Sequence, residues 1–503
     1  MKAEYRRLKR RRSSLCAKGS GVVASGADEI GCKKLNFFLA TPLGLLYNSS
    51  KGVFDKDHRR RNVMKKIIFI LAATLGLCCM DCRSMMAQEL QVQESVVREQ
   101  EHVTKPSKAG GLKTKTLSQN QVKLSWKKSA GASAYKVYKR YPGSNYKLVH
   151  ATTKTSCVIP IRTDRTYRFM VVPYVKKNDK TVKGQADTIV YRLNRVTISA
   201  AGDCTLGSDS RYNQKFISMY DSQKDPAYFL RKVKPIFETD DVTVVNFEGT
   251  LTKANDRAIK KFTFKGREEF VQILKTGSVE VVNMANNHTY DYKQVGFEDT
   301  VRVLKKNNIP YCIDPTIAYK QVDGTRVAFL GYNALGSNAT KEKIKSGIQK
   351  AKKDGADLIV VSFHWGIEGD HYPTNLQKDF GHYAIDQGAD LVLGHHPHVL
   401  QGVEQYKDSY IVYSLGNFCF GGNSNPSDKD TMIYRQSFYV DNNGKKLDDS
   451  KARIIPCSLS GHTGYNDFQP YPLGGSAKKT LLERIRRFSS GMHVTIDEKG
   501  MIN

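Results

Sequence analysis

From Arg195 onward, short apolar runs alternate with charged, amphipathic stretches. This alternation is typical of layered α/β domains, in which buried strands are covered by helices with one apolar face. The runs predict seven strands, at residues 196–201, 242–246, 279–284, 326–332, 358–364, 391–395 and 410–413. Nearly every run ends in a polar cluster. Because α/β sheets bind ligands beyond the carboxyl ends of their strands, we expect these clusters to meet in one crevice.

A different pattern precedes this region. Residues 122–126, 135–140 and 167–172 alternate apolar and polar side chains, which predicts half-buried strands. Their spacing, with an early Trp126 and a late Tyr167, resembles a fibronectin type III sandwich over residues 110–193. We expect both aromatic residues to lie in its core. Such a module usually acts as a spacer or adhesive unit, and it contains no catalytic constellation.

The N-terminal region resembles an export signal that is displaced from the start of the chain. Residues 64–87 combine Lys65 and Lys66 with a short apolar run at 67–77 and a small Ala87, the pattern of a cleaved signal peptide. Residues 1–63 are then either an extension from a misassigned start, with Met64 the true initiator, or a disordered basic arm. In the second case the arm would precede an uncleaved anchor or bind nucleic acid.

Composition supports an exported protein with anionic partners. Residues 88–109 are polar and predict a linker. Removing residues 1–87 lowers the net charge from +30 to about +18. The chain has no recognisable nucleic-acid-binding motif, so an anionic polymer or a phosphate-bearing compound of the cell envelope is the expected partner, in the periplasm or at the cell surface. An odd number of cysteines after residue 87, without any Cys-x-x-Cys, argues against a disulfide framework.

The polar clusters at the strand ends have the composition of a metal site. Residues 390–398 place three imidazoles, those of His395, His396 and His398, at the end of an apolar run. Imidazole is the commonest protein ligand of transition metals. Further clusters follow the other predicted strands: Asp203, Asn246 with Glu248, Asn286, Asn287 and His288 with Asp291, and His364. Together they predict a hydrolase site that holds two divalent metal ions, of Mn, Fe or Zn.

Taken in their order along the chain, these motifs resemble the CapA-type family of capsule and poly-γ-glutamate biosynthesis proteins. That family resembles a branch of the calcineurin-like metallophosphoesterases. The likeness covers roughly residues 196–470. It implies an α/β fold, a four-layer α/β/β/α sandwich with a dinuclear metal centre between two sheets, over residues 194–475. Residues 476–503 would form a C-terminal tail, and we expect its basic, leucine-rich segment to dock on the domain.

The resemblance also implies roles for individual residues. His288 would be the general acid, oriented by Asp291. The metal ligands would be Asp203, Glu248 as the bridging carboxylate, Asn287, His364, His396 and His398.

Two departures from the family pattern bear on the metal site. Thr205 stands where the ordinary metallophosphoesterase pattern has a histidine, and the bridging position is Glu248 instead of Asp, so the first metal would have one ligand fewer. One, two or no metals therefore remain compatible with the sequence. His395 is an alternative ligand to His396.

Each site residue also has a purely structural interpretation. Asp203 and Asn246 could cap helices, and Glu248 could be a solvated charge at a strand end. His364 could be a hydrogen-bonded core histidine, and Asn287 with His288 could form a turn.

Three functions are consistent with these features. The first is an exported metal-dependent hydrolase or phosphoesterase of envelope polymers, with membrane-bound biosynthesis proteins as partners. The second is a non-catalytic assembly factor that binds an anionic polymer. The third is an adhesive surface protein, in which the small sandwich makes the contacts.

Overall fold

The computed structural model describes residues 104–177, 180–448 and 451–503, together with Gln88 and Gln91. The chain divides into two compact units, Met1–Thr104 and Lys105–Asn503, and the second is described here. The predicted extension at 1–63 and signal peptide at 64–87 lie outside the described residues, as does most of the predicted linker. Within the described residues, no helix is both long and apolar enough to cross a bilayer.

Eight strands form the N-terminal part of this unit. They are β1 (Lys113–Ser118), β2 (Gln121–Ser125), β3 (Ala134–Arg140), β4 (Lys147–Thr152), β5 (Ser156–Pro160), β6 (Thr166–Lys177), β7 (Lys180–Lys183) and β8 (Asp187–Thr205). One sheet has the order β1-β2-β5, and the other joins β4, β3, β6 and the first part of β8, with β7 beside the end of β6. All pairs are antiparallel. This is the two-sheet arrangement that the fibronectin type III resemblance implies.

Trp126 and Tyr167 lie in the core of this sandwich, as predicted. Their exposed fractions are 6% and 1%. The Tyr167 hydroxyl accepts a hydrogen bond of 2.6 Å from the backbone N–H of Arg162, five residues upstream. Tyrosines that bond the backbone a few residues upstream are recurrent corners of such sandwiches.

Sixteen further strands follow: β9 (Val242–Phe247), β10 (Thr250–Leu251), β11 (Lys265–Gly266), β12 (Val281–Asn283), β13 (Tyr311–Cys312), β14 (Ala318–Val322), β15 (Thr325–Asn333), β16 (Leu358–His364), β17 (Leu391–His395), β18 (Val403–Tyr406), β19 (Ser409–Val412), β20 (Asn417–Phe420), β21 (Asp430–Asp441), β22 (Lys451–Ser458), β23 (Tyr471–Pro472) and β24 (Met501–Ile502). The α-helices are α1 (Lys215–Gln223), α2 (Lys234–Phe237), α3 (Val271–Thr276), α4 (Lys293–Lys306), α5 (Lys341–Lys353), α6 (Asn375–Gln387) and α7 (Gly475–Phe488). Each of the seven predicted strands is present, and the α/β class is confirmed.

Two mixed sheets organise this part of the chain. The first has the order β13-β12-β9-β8-β21-β22-β23, and the second has the order β14-β15-β16-β17-β19-β18. The strands from β8 through β9 and β12 to β13 are parallel, as are those from β15 through β16 and β17 to β19. β9 and β16 are buried along their whole length. Their sequences are therefore nearly continuous apolar runs, as expected of strands that are covered on both faces.

Strand β8 joins the sandwich to the first mixed sheet. Its beginning pairs with β6, and the rest of the strand pairs with β9 and β21. The predicted domain boundary between residues 193 and 194 therefore falls inside one continuous strand.

Three apolar clusters hold the α/β part together. One contains residues from both mixed sheets, such as Ile198 and Val244 of the first with Phe329 and Val360 of the second. A second joins the first sheet to α3 and α4, and a third joins the second sheet to α5 and α6. Burial of these apolar surfaces is the main stabilising contribution.

The basic C-terminal segment docks on the domain, as predicted. Leu481, Leu482, Ile485 and Phe488 of α7 are buried in the cluster that contains both mixed sheets. After α7, strand β24 pairs with β22. The charged residues of the segment are the solvated side of an amphipathic helix.

The cysteines of the described residues are buried and free: Cys157, Cys204, Cys312, Cys419 and Cys457. Burial raises the pKa of Cys157 to about 11, and those of Cys204 and Cys312 to about 12. They serve as small apolar side chains.

We expect Ile485→Ala to destabilise the α/β part by about 2–4 kcal/mol, because it opens a cavity beneath α7. Chemical denaturation of the full chain measures this loss. Lys479→Ala, on the exposed side of the same helix, is the matched control and should change the free energy of unfolding by less than about 0.5 kcal/mol. Equal effects of the two substitutions would contradict the docking of α7.

Candidate metal centre

The predicted strand-end clusters meet at one edge of the two mixed sheets. In the first sheet, Asp203 of β8 and Asn283 of β12 both lie beside Asn246 of β9. In the second, His364 of β16 lies beside His395 of β17. Parallel strands bring their carboxyl ends to the same edge, so residues far apart in sequence become neighbours.

Asp203 is wholly buried and contacts three other segments. Its Oδ1 accepts a hydrogen bond of 2.9 Å from the Asn246 side chain and lies 3.4 Å from Nδ1 of His395. Its Oδ2 lies 3.0 Å from Nδ1 of His398 and 3.5 Å from the backbone nitrogen of His396. Burial opposes ionisation, but His395 and His398 hold the pKa of Asp203 well below its usual range. Asp203 is therefore an anion that faces the histidine turn.

Glu248 is wholly buried, and neither of its carboxylate oxygens has a hydrogen-bond partner among the described residues. Its Oε1 lies 3.7 Å from Nε2 of His288 and 3.8 Å from Nε2 of His398. Burial raises the pKa of Glu248 to about 8. Burial alone would lower the pKa of His398, but the charges of Glu248 and Asp203 outweigh it and raise this pKa to about 9. Glu248 is thus not a solvated strand-end charge.

Side-chain amides fix the orientation of Asp203. Asn246 donates to Asp203, while its own oxygen accepts hydrogen bonds from the amides of Asn283 and Asn286, at 2.9 and 3.3 Å. Asn246 therefore holds a carboxylate in place and does not cap a helix. Asn283 was missed from the sequence, although a polar residue at the end of an apolar strand is a detectable signal.

His288 and Asp291 form a buried pair. Nδ1 of His288 lies 2.7 Å from Oδ2 of Asp291. Lys260 donates to the other oxygen of Asp291 at 2.7 Å and to the backbone carbonyl of Asn287 at 2.8 Å. Burial lowers the pKa of His288, against the opposing effect of Asp291. Nε2 of His288 is left facing Glu248. The sequence did not single out Lys260, because it lies in a charged loop without any motif.

His364, Asn287 and His396 lie together on the other side of the site. Nε2 of His364 is 2.8 Å from Oδ1 of Asn287, and the His364 and His396 rings are 4.7 Å apart. Burial lowers the pKa of His364 well below its usual range and that of His396 to about 4. Both imidazoles are therefore neutral, the form that binds metals.

The turn after β17 directs the last two histidines. His396 and His398 have positive φ angles of 96° and 60°, on either side of Pro397. Positive φ is uncommon for residues other than glycine and often marks a functional constraint.

A cavity of about 370 Å³ opens beside these residues, and His288, His398, Phe264, Asn417 and Glu368 are among those that line it. Sequence reasoning missed Glu368, an exposed residue in the loop after β16. It approaches His396 and His398, with one ligand atom of each residue within 4.8 Å of the others. Asp203, Glu248 and His398 form a second group with the same spacing.

The donor atoms fit a divalent cation. Buried atoms without hydrogen-bond partners among the described residues include both oxygens of Glu248, both ring nitrogens of His395, Nδ1 of His396, Oγ1 of Thr205 and Oδ1 of Asn417. Unsatisfied buried polar atoms are costly, and mixed oxygen and imidazole sets are typical of Mn, Fe and Zn sites. His395 and His396 both keep an open nitrogen, so the choice between them stays a prediction, as do the other ligand roles.

Residues 197–422 match the model of a family described as bacterial capsule synthesis protein PGA_cap. The chain is 34% identical over 260 residues to the capsule biosynthesis protein CapA of Bacillus anthracis, a match that covers 46% of this chain and 62% of that relative. It is 29% identical over 333 residues to the PGA biosynthesis protein CapA of Bacillus subtilis (strain 168), covering 61% and 83%. The chain thus spans less than two thirds of the first relative.

Solved structures similar to part of the chain include FN3tt mut, with 20% identity and a TM-score of 0.16 over 17% of this chain and 94% of that structure. Residues 197–422 contain every predicted metal ligand and both members of the His288 and Asp291 pair, and their match to bacterial capsule synthesis proteins confirms the resemblance to the CapA-type family.

Proposed function

We propose that this protein is a metal-dependent hydrolase, of the phosphoesterase type, in the biosynthesis of a capsule or of poly-γ-glutamate. The observation that carries the proposal is Glu248, a wholly buried carboxylate that lies between His288 and His398 and accepts no hydrogen bond from any described residue. Without a cation, this arrangement costs folding free energy. The names of the two Bacillus relatives support the biosynthetic context.

The proposed fold of residues 194–475 is the four-layer α/β/β/α sandwich of metallophosphoesterases. The cluster between the two mixed sheets supports the inner layers, and the clusters beneath α3 and α4 and beneath α5 and α6 support the outer ones.

Two groups of residues would hold divalent ions. Asp203, Glu248 and His398 make up one group, and Asn287, His364 and His396 lie around the other position. Glu368 is an additional carboxylate within reach of His396. Bound metal would supply Lewis acidity toward a phosphoryl or carbonyl oxygen and a nucleophile derived from water.

His288 is the proposed proton carrier. Asp291 holds Nδ1 of its ring, so Nε2 is the atom available to accept or release a proton at the cavity. Lys260 neutralises part of the Asp291 charge and fixes the backbone at Asn287. These contacts keep the ring oriented before any substrate enters.

The substrate would be an anionic envelope polymer or a phosphate-bearing precursor, and the cavity of about 370 Å³ has room for part of such a molecule. The proposal also includes export of the protein to the periplasm or cell surface, where it would cooperate with membrane-bound biosynthesis proteins.

One observation favours a non-catalytic alternative. Thr205, at the position of the histidine in the ordinary metallophosphoesterase pattern, is buried, and its hydroxyl has no hydrogen-bond partner among the described residues. A first metal position with one ligand fewer would bind its ion more weakly. In that case the cavity would serve an assembly factor that binds anionic polymer.

Metal analysis and turnover test the proposed site. We expect the full chain to bind about two equivalents of Mn or Zn, while Glu248→Ala and His398→Ala lose most of the metal because each removes a central ligand. His288→Ala should keep the metal but lower the hydrolysis of bis-para-nitrophenyl phosphate by about 100-fold or more. Elemental analysis and initial rates provide the two readouts.

His462→Ala is the control, because His462 is exposed and lies outside the candidate metal centre. It should change neither metal content nor rate. A folded parent protein that binds no metal would overturn the hydrolase proposal and favour the assembly factor.

Metal affinity should rise with pH between about 6 and 9. In the metal-free protein the pKa values of Glu248 and His398 are both raised, so this ligand pair is protonated at neutral pH. Metal must displace those protons, so affinity increases by up to about tenfold per pH unit for each one until the pH exceeds the pKa. Calorimetry in buffers of different ionisation enthalpy measures the release. No proton release at pH 7 would contradict this arrangement.

A further inference from the structure

The segment between β10 and β11, residues 252–264, presents apolar side chains to solvent. Ile259 is fully exposed, and Phe262 is 37% exposed. The Phe262 ring packs against Tyr212, itself 57% exposed, with the ring centroids 5.0 Å apart. Exposed apolar residues that cluster often mark an interaction site. We call these three residues the apolar tip.

Cations flank the apolar tip. Arg257 and Lys261 are exposed, and within the described ranges no carboxylate lies within ion-pair distance of either one. The ammonium group of Lys261 lies 5.1 Å from the centre of the Phe262 ring. The neighbouring acid Asp256 is paired with Lys293. The surface around the tip therefore favours anions.

Hydrogen bonds hold the segment in place. Arg211 donates to the carbonyl of Lys261 at 2.9 Å and is paired with Asp209. Asp209 in turn accepts the backbone N–H of Thr263 at 2.8 Å. On the inner side, Lys260 is bound to Asp291. These bonds hold the backbone on the C-terminal side of Ile259 against the domain, while the Ile259 side chain is exposed.

We propose that the apolar tip inserts into the interface of a lipid bilayer that carries anionic headgroups. Apolar side chains flanked by Lys and Arg are the pattern of interfacial membrane binding, in which burial and charge attraction add. A polyanion would pair with Arg257 and Lys261 but would leave Ile259 exposed. Three side chains are also far fewer than the roughly 20–30 residues per side of a stable protein interface.

Docking through this tip would place the cavity at the membrane surface. Phe262 lines the cavity as well as forming the tip, and the adjacent Lys260 contacts Asp291. A substrate held at the headgroups would then enter without leaving the bilayer surface. This docking requires no bound metal and no catalysis. Its test is therefore independent of the test of the proposed hydrolase.

A tryptophan at the tip tests the proposal in the full chain. The two native tryptophans, Trp126 and Trp365, are buried, so Ile259→Trp adds the one exposed indole among the described tryptophans. With vesicles of phosphatidylcholine and phosphatidylglycerol, its emission should shift to shorter wavelength, and lipids brominated on the acyl chains should quench it. Leu148→Trp, at an exposed position on the sandwich, should show neither effect. If residues 64–87 attach the protein to the vesicles, they do so in both variants, so a difference between the variants reports on the substituted position.

A second variant tests the role of charge. In the Ile259→Trp background, Arg257→Glu with Lys261→Glu should abolish both the shift and the quenching. Insertion that persists after charge reversal would overturn the electrostatic part of the proposal. No response of Ile259→Trp, an equal response of Leu148→Trp, or a response only to soluble poly-γ-glutamate would overturn membrane docking itself.

Discussion

The structure depends on burying two carboxylates at the meeting edge of two sheets. A buried charge is tolerated only when other groups compensate it. Asp203 is compensated by Asn246 and by His398. Glu248 has no hydrogen-bond partner among the described residues, so a cation or a proton must balance it. Burial of the two carboxylates destabilises the site when no metal is bound. The same burial would favour binding of a divalent ion.

The second mixed sheet supplies His364, His396 and His398, and the first supplies Asp203 and Glu248. The apolar cluster between the sheets sets how closely these donors approach. Side chains in such a core are close-packed, so small shifts of one sheet are resisted. Packing distant from the site therefore contributes to the position of the ligands, although it touches none of them.

The small sandwich is connected to the site through the backbone. Strand β8 starts as the partner of β6 and reaches Asp203 without a break. Tyr439 of β21 packs into the sandwich core, and Asp441 accepts a hydrogen bond from Thr116 at 3.3 Å. The sandwich is thus joined to the α/β part by a shared strand and by side-chain contacts, which a flexible spacer would not make.

Several features could be predicted from the sequence because they depend on local chemistry. Apolar runs predicted the seven strands, since strands covered on both faces must be apolar along their length. The polar residues that end those strands were predicted as ligands, and the structure brings all six together. Lys260 and Glu368 were not found, because each lies in a loop and reaches the site only through the path of the folded backbone.

The sequence by itself determined the elements and the kinds of donor atom, because strand periodicity and ligand chemistry are properties of short segments. Tertiary structure decided which donors meet, and which oxygen of Asp203 faces His398 and which stays with Asn246. It also decided that the Glu248 carboxylate accepts no hydrogen bond within the part of the chain that the structure describes. It also decided that Ile259 stands outside the core. These outcomes follow from contacts between residues distant in the chain, whose energies depend on burial and orientation that no local pattern contains.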